Sequence, residues 1–129
     1  MTATVSQRAL GIKDMPESER PIAEQFRIVA LQYVDADGAA MLLEEMKTTT
    51  LEQMKSSLLV ERGQMPDASA TRLVKSGPEW AEYIERMVAA RVKANKLRLQ
   101  LEYLKMRERQ EDRNEWHQRS ERKMMRSGT

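Results

Sequence analysis

Few residues of this chain have side chains and spacings that could do chemistry. The only histidine, His117, precedes Glu121 by four positions, which would bring both side chains to one face of a helix. A zinc site needs three or four such ligands, and the 129 residues include no cysteine and no second histidine. We therefore interpret the pair as part of a solvated surface and expect no metal ion and no cofactor.

The stretch YVDADGAAMLLE invites comparison with a calcium-binding loop. If Gly38 is placed at the sixth position of such a loop, Asp35, Asp37 and Glu44 fall at the third, fifth and twelfth positions. The first position is then Tyr33, which cannot supply the required carboxylate. The sequence instead predicts a turn between two helices, with an aspartate as the cap of the second helix.

Arrangements typical of enzymes are also missing from the sequence. It contains no glycine-rich phosphate loop, no nucleophile elbow and no Ser/His/Asp constellation. The adjacent Glu44 and Glu45 would point in diverging directions on a helix, and one histidine leaves little for acid–base catalysis near neutral pH. We expect a protein that is not an enzyme, with no catalytic residues and no small-molecule substrate.

Composition favours a small folded helical protein. Leu, Ile, Val and Phe account for only 24 of 129 residues, but the net charge is +2 and ten methionines add apolar surface. No segment approaches the roughly 18 apolar residues of a membrane span, and no signal-like run opens the sequence. The absence of cysteine is typical of a reducing compartment. We expect a cytoplasmic protein with no membrane contact.

Glycine, proline and capping residues divide the chain into four regions. Residues 1–17 are predicted to be a flexible arm, and 18–63 a head of short helices. Residues 64–76 form a connector with room for one short helix, and 77–129 form a long coiled-coil helix with a basic tail. No segment shows the alternation of a half-buried strand. The predicted fold class is therefore all-α, with short N-terminal helices followed by one long C-terminal helix in a coiled coil or helical bundle.

Helix boundaries within the head follow from local signals. The first helix is predicted to end near Val34, and Asp35 or Asp37 to cap the second. A capping box that begins at Thr50 should start the third helix, which ends at Gly63.

The last helix is predicted to be unusually long. Ser76 should act as its cap, with Pro78 in the first turn and Glu79 completing a capping box. No glycine or proline follows until about Arg126. Roughly 48 residues at a rise of 1.5 Å make a rod of about 70 Å, which is too long to be covered by the short head helices alone.

An apolar row with heptad spacing follows this last helix. It occupies eight consecutive a and d positions, namely Trp80, Tyr83, Met87, Ala90, Ala94, Leu97, Leu101 and Leu104. The row predicts a coiled-coil or helix-bundle seam, and we expect a homo-oligomer. The alternative is a long helix that folds back on the head of its own chain. A second strip of Ile84, Val88 and Val92 would let the helix contact its own head and a partner with different faces.

Charge is distributed unevenly along the chain. Residues 1–85 carry a net charge of −5 and residues 86–129 a net charge of +7. Four basic residues line one side of the last helix at intervals of seven, seven and four, namely Arg91, Arg98, Lys105 and Arg109. Such a stripe could contact a phosphate backbone, with Tyr103 and Trp116 available to stack on bases. The alternative interpretation is that these residues are the solvated flank of the coiled coil, with long aliphatic stems that cover the seam.

The segment EWAEYIERMVAARVKANKLRLQLEYLKMRERQEDRNEWHQRSERKM resembles small helical proteins encoded by bacteriophages and prophages, often near genes for recombination or single-strand annealing. The matching features are the aromatic start at Trp80 and Tyr83, the AARVKAN middle, the LEYLKMR segment and the terminal RSERKM. The resemblance covers about the last third of the chain and implies a nonenzymatic accessory role around phage DNA metabolism. It assigns no individual site residues.

Two hypotheses for function follow. In the first, an oligomeric phage accessory protein binds DNA or a DNA-bound recombination protein through its basic helix. In the second, the chain is an adaptor or inhibitor that binds a host or phage protein through its coiled-coil seam, without contact with nucleic acid.

Overall fold

The computed structural model describes residues 21–127, and all regular structure in this range is α-helical. Four helices follow one another, namely α1 (Ile22–Glu45), α2 (Lys47–Arg62), α3 (Asp67–Lys75) and α4 (Pro78–Ser127). The predicted all-α class with one long C-terminal helix is confirmed. The predicted arm, 1–17, lies outside the described residues. Among the helices described, none combines the length and the apolar character that crossing a membrane requires.

Helix α1 continues through the DADG segment, where the sequence predicted a turn. The predicted end near Val34 is therefore wrong, and neither aspartate of the segment caps a helix. A glycine inside a helix costs about 1 kcal/mol relative to alanine. The neighbours Ala36 and Ala40 are 8% and 0% exposed, so this part of the helix is tightly packed. Packing of the buried side offsets the weak local preference of Gly38 for a turn.

Helix α2 corresponds to the predicted third helix and begins four residues earlier than predicted, with Met46 instead of Thr50 at the cap position. Its first residue is Lys47, and the backbone N–H of Thr50 already donates to the carbonyl of Met46 over 2.8 Å. Thr50 is thus inside the helix and is not its cap. The predicted end is confirmed, because Gly63 follows the last helical residue with φ 86° and ψ −179°, a conformation that essentially only glycine adopts.

The junction between α3 and α4 uses the predicted residues differently. Helix α3 begins at Asp67, as the predicted connector allowed. The hydroxyl of Ser76 donates to the carbonyl of Leu73 over 3.0 Å, so this side chain stabilises the end of α3 instead of capping α4. Helix α4 starts at Pro78, where the missing proline N–H leaves no helical hydrogen bond unmade.

A buried lysine joins α2 to α3, which pack on each other. Lys55 is 7% exposed, and its Nζ lies 2.5 Å from Oδ1 of Asp67 and 3.1 Å from Oε1 of Glu52. The hydrogen bond to Asp67, followed by the one to Glu52, raises the pKa of Lys55. The carboxylates of Asp67 and Glu52 therefore stabilise the charged form of Lys55.

Contacts divide the chain into two compact units, and α1 and α4 each contribute to both. The central unit is Gln32–Lys96, which contains α2, α3, the second half of α1 and the start of α4. The terminal unit comprises the described residues of Met1–Leu31 and Leu97–Thr129.

Candidate nucleic-acid and protein interfaces

The predicted heptad row lies on the covered side of α4. Trp80, Tyr83, Ala94 and Leu104 are at most 8% exposed, and the other four members are half-buried, namely Met87, Ala90, Leu97 and Leu101. The chain itself therefore covers most of this row, as in the alternative in which the long helix folds back. Its use as a seam between subunits stays a prediction, and a partner that meets the folded chain must contact other faces of α4.

Two aromatic residues stand at the start of the row, and one of them, Tyr83, binds the end of α1. The rings of Trp80 and Tyr83 stack with centroids 5.7 Å apart and planes 21° apart. The Tyr83 hydroxyl donates to the carbonyl of Leu43. The last four carbonyls of a helix have no amide partner within that helix, and Leu43 is one of these residues in α1. Tyr83 thus supplies a hydrogen bond that α1 cannot make alone.

Arg91 forms a second link between α1 and α4 in the central unit. Its Nε and Nη2 donate to the two carboxylate oxygens of Glu44 over 2.9 and 2.6 Å, and Nη1 donates to Oδ1 of Asp37 over 2.7 Å. This two-pronged geometry raises the pKa of Arg91, and the hydrogen bond from Arg91 lowers the pKa of Glu44. Since Asp37 pairs with Arg91 and Leu43 with Tyr83, the two helix segments run antiparallel in this unit.

The other three predicted phosphate contacts lie in the terminal unit, and all are exposed. Lys105 places its Nζ 5.9 Å from the ring centroid of Phe26, within the range of a cation–π interaction. Arg98 and Arg109 make no ion pair with any residue between 21 and 127. The structure therefore separates Arg91, which is engaged by two carboxylates, from three cations on residues 97–127, the part of α4 in the terminal unit, which we call the outer part of α4.

The last part of α4 is open to solvent. From 108 to 126 every side chain except the half-buried Ser120 is exposed. Trp116 is 65% exposed and contacts the ring of His117 edge-on, with centroids 5.3 Å apart. Glu115 and Arg119 form an ion pair of 3.9 Å one turn apart. Within the described range, no group of three or more His, Cys, Asp or Glu side chains is placed to hold a metal ion.

Several apolar side chains are exposed on α1 and on α4, and the sequence predicted only some of them. Of the predicted second strip, Ile84 is half-buried, whereas Val88 and Val92 are 52% and 44% exposed. Leu99 and Met106, which are 59% and 64% exposed, were not predicted. The sequence did contain a pattern that predicts their common side, because Leu99 and Met106 follow Val92 at successive intervals of seven.

The sequence did not predict that α1 has an exposed apolar side. Val34, Met41 and Leu42 are 64%, 47% and 61% exposed. The predicted break after Val34 hid this pattern, because residues on two separate helices have no common face. Once α1 is continuous, positions 34, 38, 41 and 42 share one side of it.

Comparisons with known proteins return no match, whether with protein-family models, curated proteins or solved structures. The resemblance to phage and prophage proteins therefore stays a prediction.

Proposed function

We propose that this protein is a nonenzymatic accessory protein that binds DNA, or a recombination protein on DNA, through the outer part of α4. The contacts are Arg98, Lys105 and Arg109, which we call the basic edge. The observation that carries the proposal is that these three cations are exposed on one unit, spaced by seven and four residues along one helix. Such spacing keeps all three on the same side of the helix.

Arg91 does not belong to the proposed edge. Its guanidinium already donates to Glu44 and Asp37, and a phosphate would have to displace carboxylates that lie within 3 Å of it. The partner of Lys105 is only the face of a phenyl ring, which leaves the ammonium free to meet a phosphate as well.

The surroundings of the edge also suit a polyanion. In the terminal unit, residues 97 to 107 of the helix carry three basic side chains and one acidic side chain, Glu102. Two exposed aromatic residues, Tyr103 and Trp116, offer ring faces on which bases can stack. Beyond 107, acidic residues alternate with basic ones, so the favourable potential is concentrated at the start of the outer part of α4. The proposal includes the cytoplasmic location and phage origin expected from the sequence.

Fluorescence anisotropy with labelled single- and double-stranded DNA at several salt concentrations tests the proposal. Three phosphate contacts give a log–log salt slope of about −2 to −3. Replacing Arg98, Lys105 and Arg109 together by glutamine should abolish that slope and most of the binding. Unchanged anisotropy with micromolar wild-type protein at low salt would eliminate direct binding to DNA.

A matched control removes the same charge elsewhere on α4. Replacing Arg113, Arg119 and Arg122 by glutamine lowers the net charge equally but leaves the basic edge intact. The proposal expects this variant to keep most of its affinity. An equal loss in both triple variants would show that overall charge, and not the basic edge, attracts DNA.

A second candidate function is that of an adaptor or inhibitor that binds a host or phage protein without nucleic acid. Leu99, Tyr103 and Met106 are exposed on one side of α4 and favour it, because exposed apolar surface is typical of protein interfaces. A pull-down from nuclease-treated lysate separates the two functions, because a protein partner survives nuclease. Leu99→Glu should abolish such capture, and Val60→Glu, at a position 89% exposed on α2, should not.

A further inference from the structure

Helix α1 presents an exposed apolar side that is acidic. In the central unit this side consists of Val34, Asp35, Met41, Leu42 and Glu45, all exposed, and we call it the acidic face. With Gly38, its positions 34, 38, 41 and 45 recur at intervals of four, three and four, the spacing of one side of a helix.

Two of the acidic side chains of α1, Asp35 and Glu45, lie on this face and are not used in ion pairs with residues 21–127. Helix α1 carries five acidic side chains and one basic side chain. Asp37 and Glu44 bind Arg91, and Glu24 binds Arg27. Asp35 and Glu45 make no ion pair with any residue of the described range, so their charge is available to a partner.

Helix α4 presents in the terminal unit an exposed apolar side whose flanks carry two arginines and one glutamate, Glu102. Leu99, Tyr103 and Met106 are 59%, 58% and 64% exposed and are spaced by four and three residues. Arg98 and Arg107 lie on either side of this row on the helix. We call these five residues the basic apolar face.

We propose that the acidic face of one copy of the chain docks on the basic apolar face of a second copy. Each face removes apolar side chains of the other from water, with Tyr103 as the large aromatic anchor that such interfaces favour. Asp35 and Glu45 then meet the arginines that flank the basic apolar face, and this charge complementarity sets the pairing.

The same charges disfavour the pairing of like faces. Two acidic faces would bring Asp35 and Glu45 against their own copies, and two basic apolar faces would do the same to Arg98 and Arg107. The expected contact therefore joins unlike faces, either reciprocally within one closed dimer or head to tail along a larger assembly. This inference does not depend on binding of nucleic acid.

Two single variants test the pairing by complementation. Leu42→Lys introduces a cation on the acidic face and leaves the basic apolar face intact. Leu99→Glu introduces an anion on the basic apolar face and leaves the acidic face intact. Both positions are about 60% exposed, so neither change should prevent folding, which circular dichroism verifies.

Molar mass is measured by size-exclusion chromatography with light scattering. Wild type should exceed the 15.0 kDa of one chain, and each variant alone should fall to that mass. An equimolar mixture of the two variants should give a 1:1 dimer that grows no further, because only one intact pair of faces remains. Val60→Lys and Val60→Glu, on the 89% exposed position of α2, should both keep the mass of wild type.

Three results would each overturn the inference. Wild type could remain a single chain at sub-millimolar concentration. Either face variant alone could keep the mass of wild type, which would mean that its face is not used. The mixture could stay monomeric, which would mean that the two faces do not bind each other.

Discussion

Replacing Tyr83 with phenylalanine should destabilise the fold by removing one hydrogen bond at the end of α1. The Tyr83 hydroxyl donates to the carbonyl of Leu43, which has no amide partner within its own helix. Tyr83 is 8% exposed and Leu43 is half-buried, so water has only partial access to this carbonyl once the hydroxyl is gone. Phenylalanine keeps the ring and its stacking on Trp80, so the change isolates the hydroxyl.

The size of the effect follows from that environment. A neutral hydrogen bond contributes about 1 kcal/mol, and a buried acceptor without a partner costs roughly 1–3 kcal/mol. We expect Tyr83→Phe to lower the free energy of unfolding by about 1–2 kcal/mol. Tyr83→Ala also removes the buried ring and should cost about 3–5 kcal/mol. The difference between the two variants gives the share of the ring.

Urea unfolding followed by circular dichroism measures both values, provided that the slope with urea is unchanged. Tyr103→Phe is the control, because Tyr103 is 58% exposed on the same helix and loses the same atom. The control should change stability by less than about 0.5 kcal/mol. If Tyr83→Phe is no more destabilising than Tyr103→Phe, the Tyr83 hydroxyl does not stabilise the end of α1.

Three further predictions concern single positions. Gly38→Ala should raise the free energy of unfolding by about 0.5–1 kcal/mol, because a Cβ there meets no atom within 4 Å and alanine favours the helix. Gly63→Ala should lower it by about 1–3 kcal/mol, because φ is 86° at this position; urea unfolding that gave both changes the same sign would contradict this reasoning. Arg91→Met should return the lowered pKa of Glu44 towards its ordinary value, as measured by NMR titration. In wild type the Glu44 carboxylate stabilises the fold above its unfolded pKa, and this contribution is lost as pH falls through the lowered folded pKa, so acid unfolding of Arg91→Met should lack that part of the pH dependence.

The ends and lengths of helices could be predicted from local sequence wherever a single backbone requirement set them. The end of α2 was predictable because Gly63 must adopt a positive φ that other residues avoid. The length of α4 was predictable because no glycine or proline interrupts it after Pro78. Heptad spacing also identified the covered side of α4, since Trp80, Tyr83, Ala94 and Leu104 are all buried.

Tertiary structure decided which residues of a regularly spaced row stay exposed and which charged side chains form ion pairs. Gly38 predicts a turn, because glycine disfavours a helix by about 1 kcal/mol relative to alanine. This penalty is smaller than the free energy gained by packing a continuous helix. Spacing of seven places Arg91 and Arg98 on one side of α4, but only Arg91 lies within 3 Å of carboxylates from α1. Periodicity specifies the side of a helix on which a residue lies. What meets that side depends on contacts between residues about 40 to 54 positions apart, and these exist only in the folded chain.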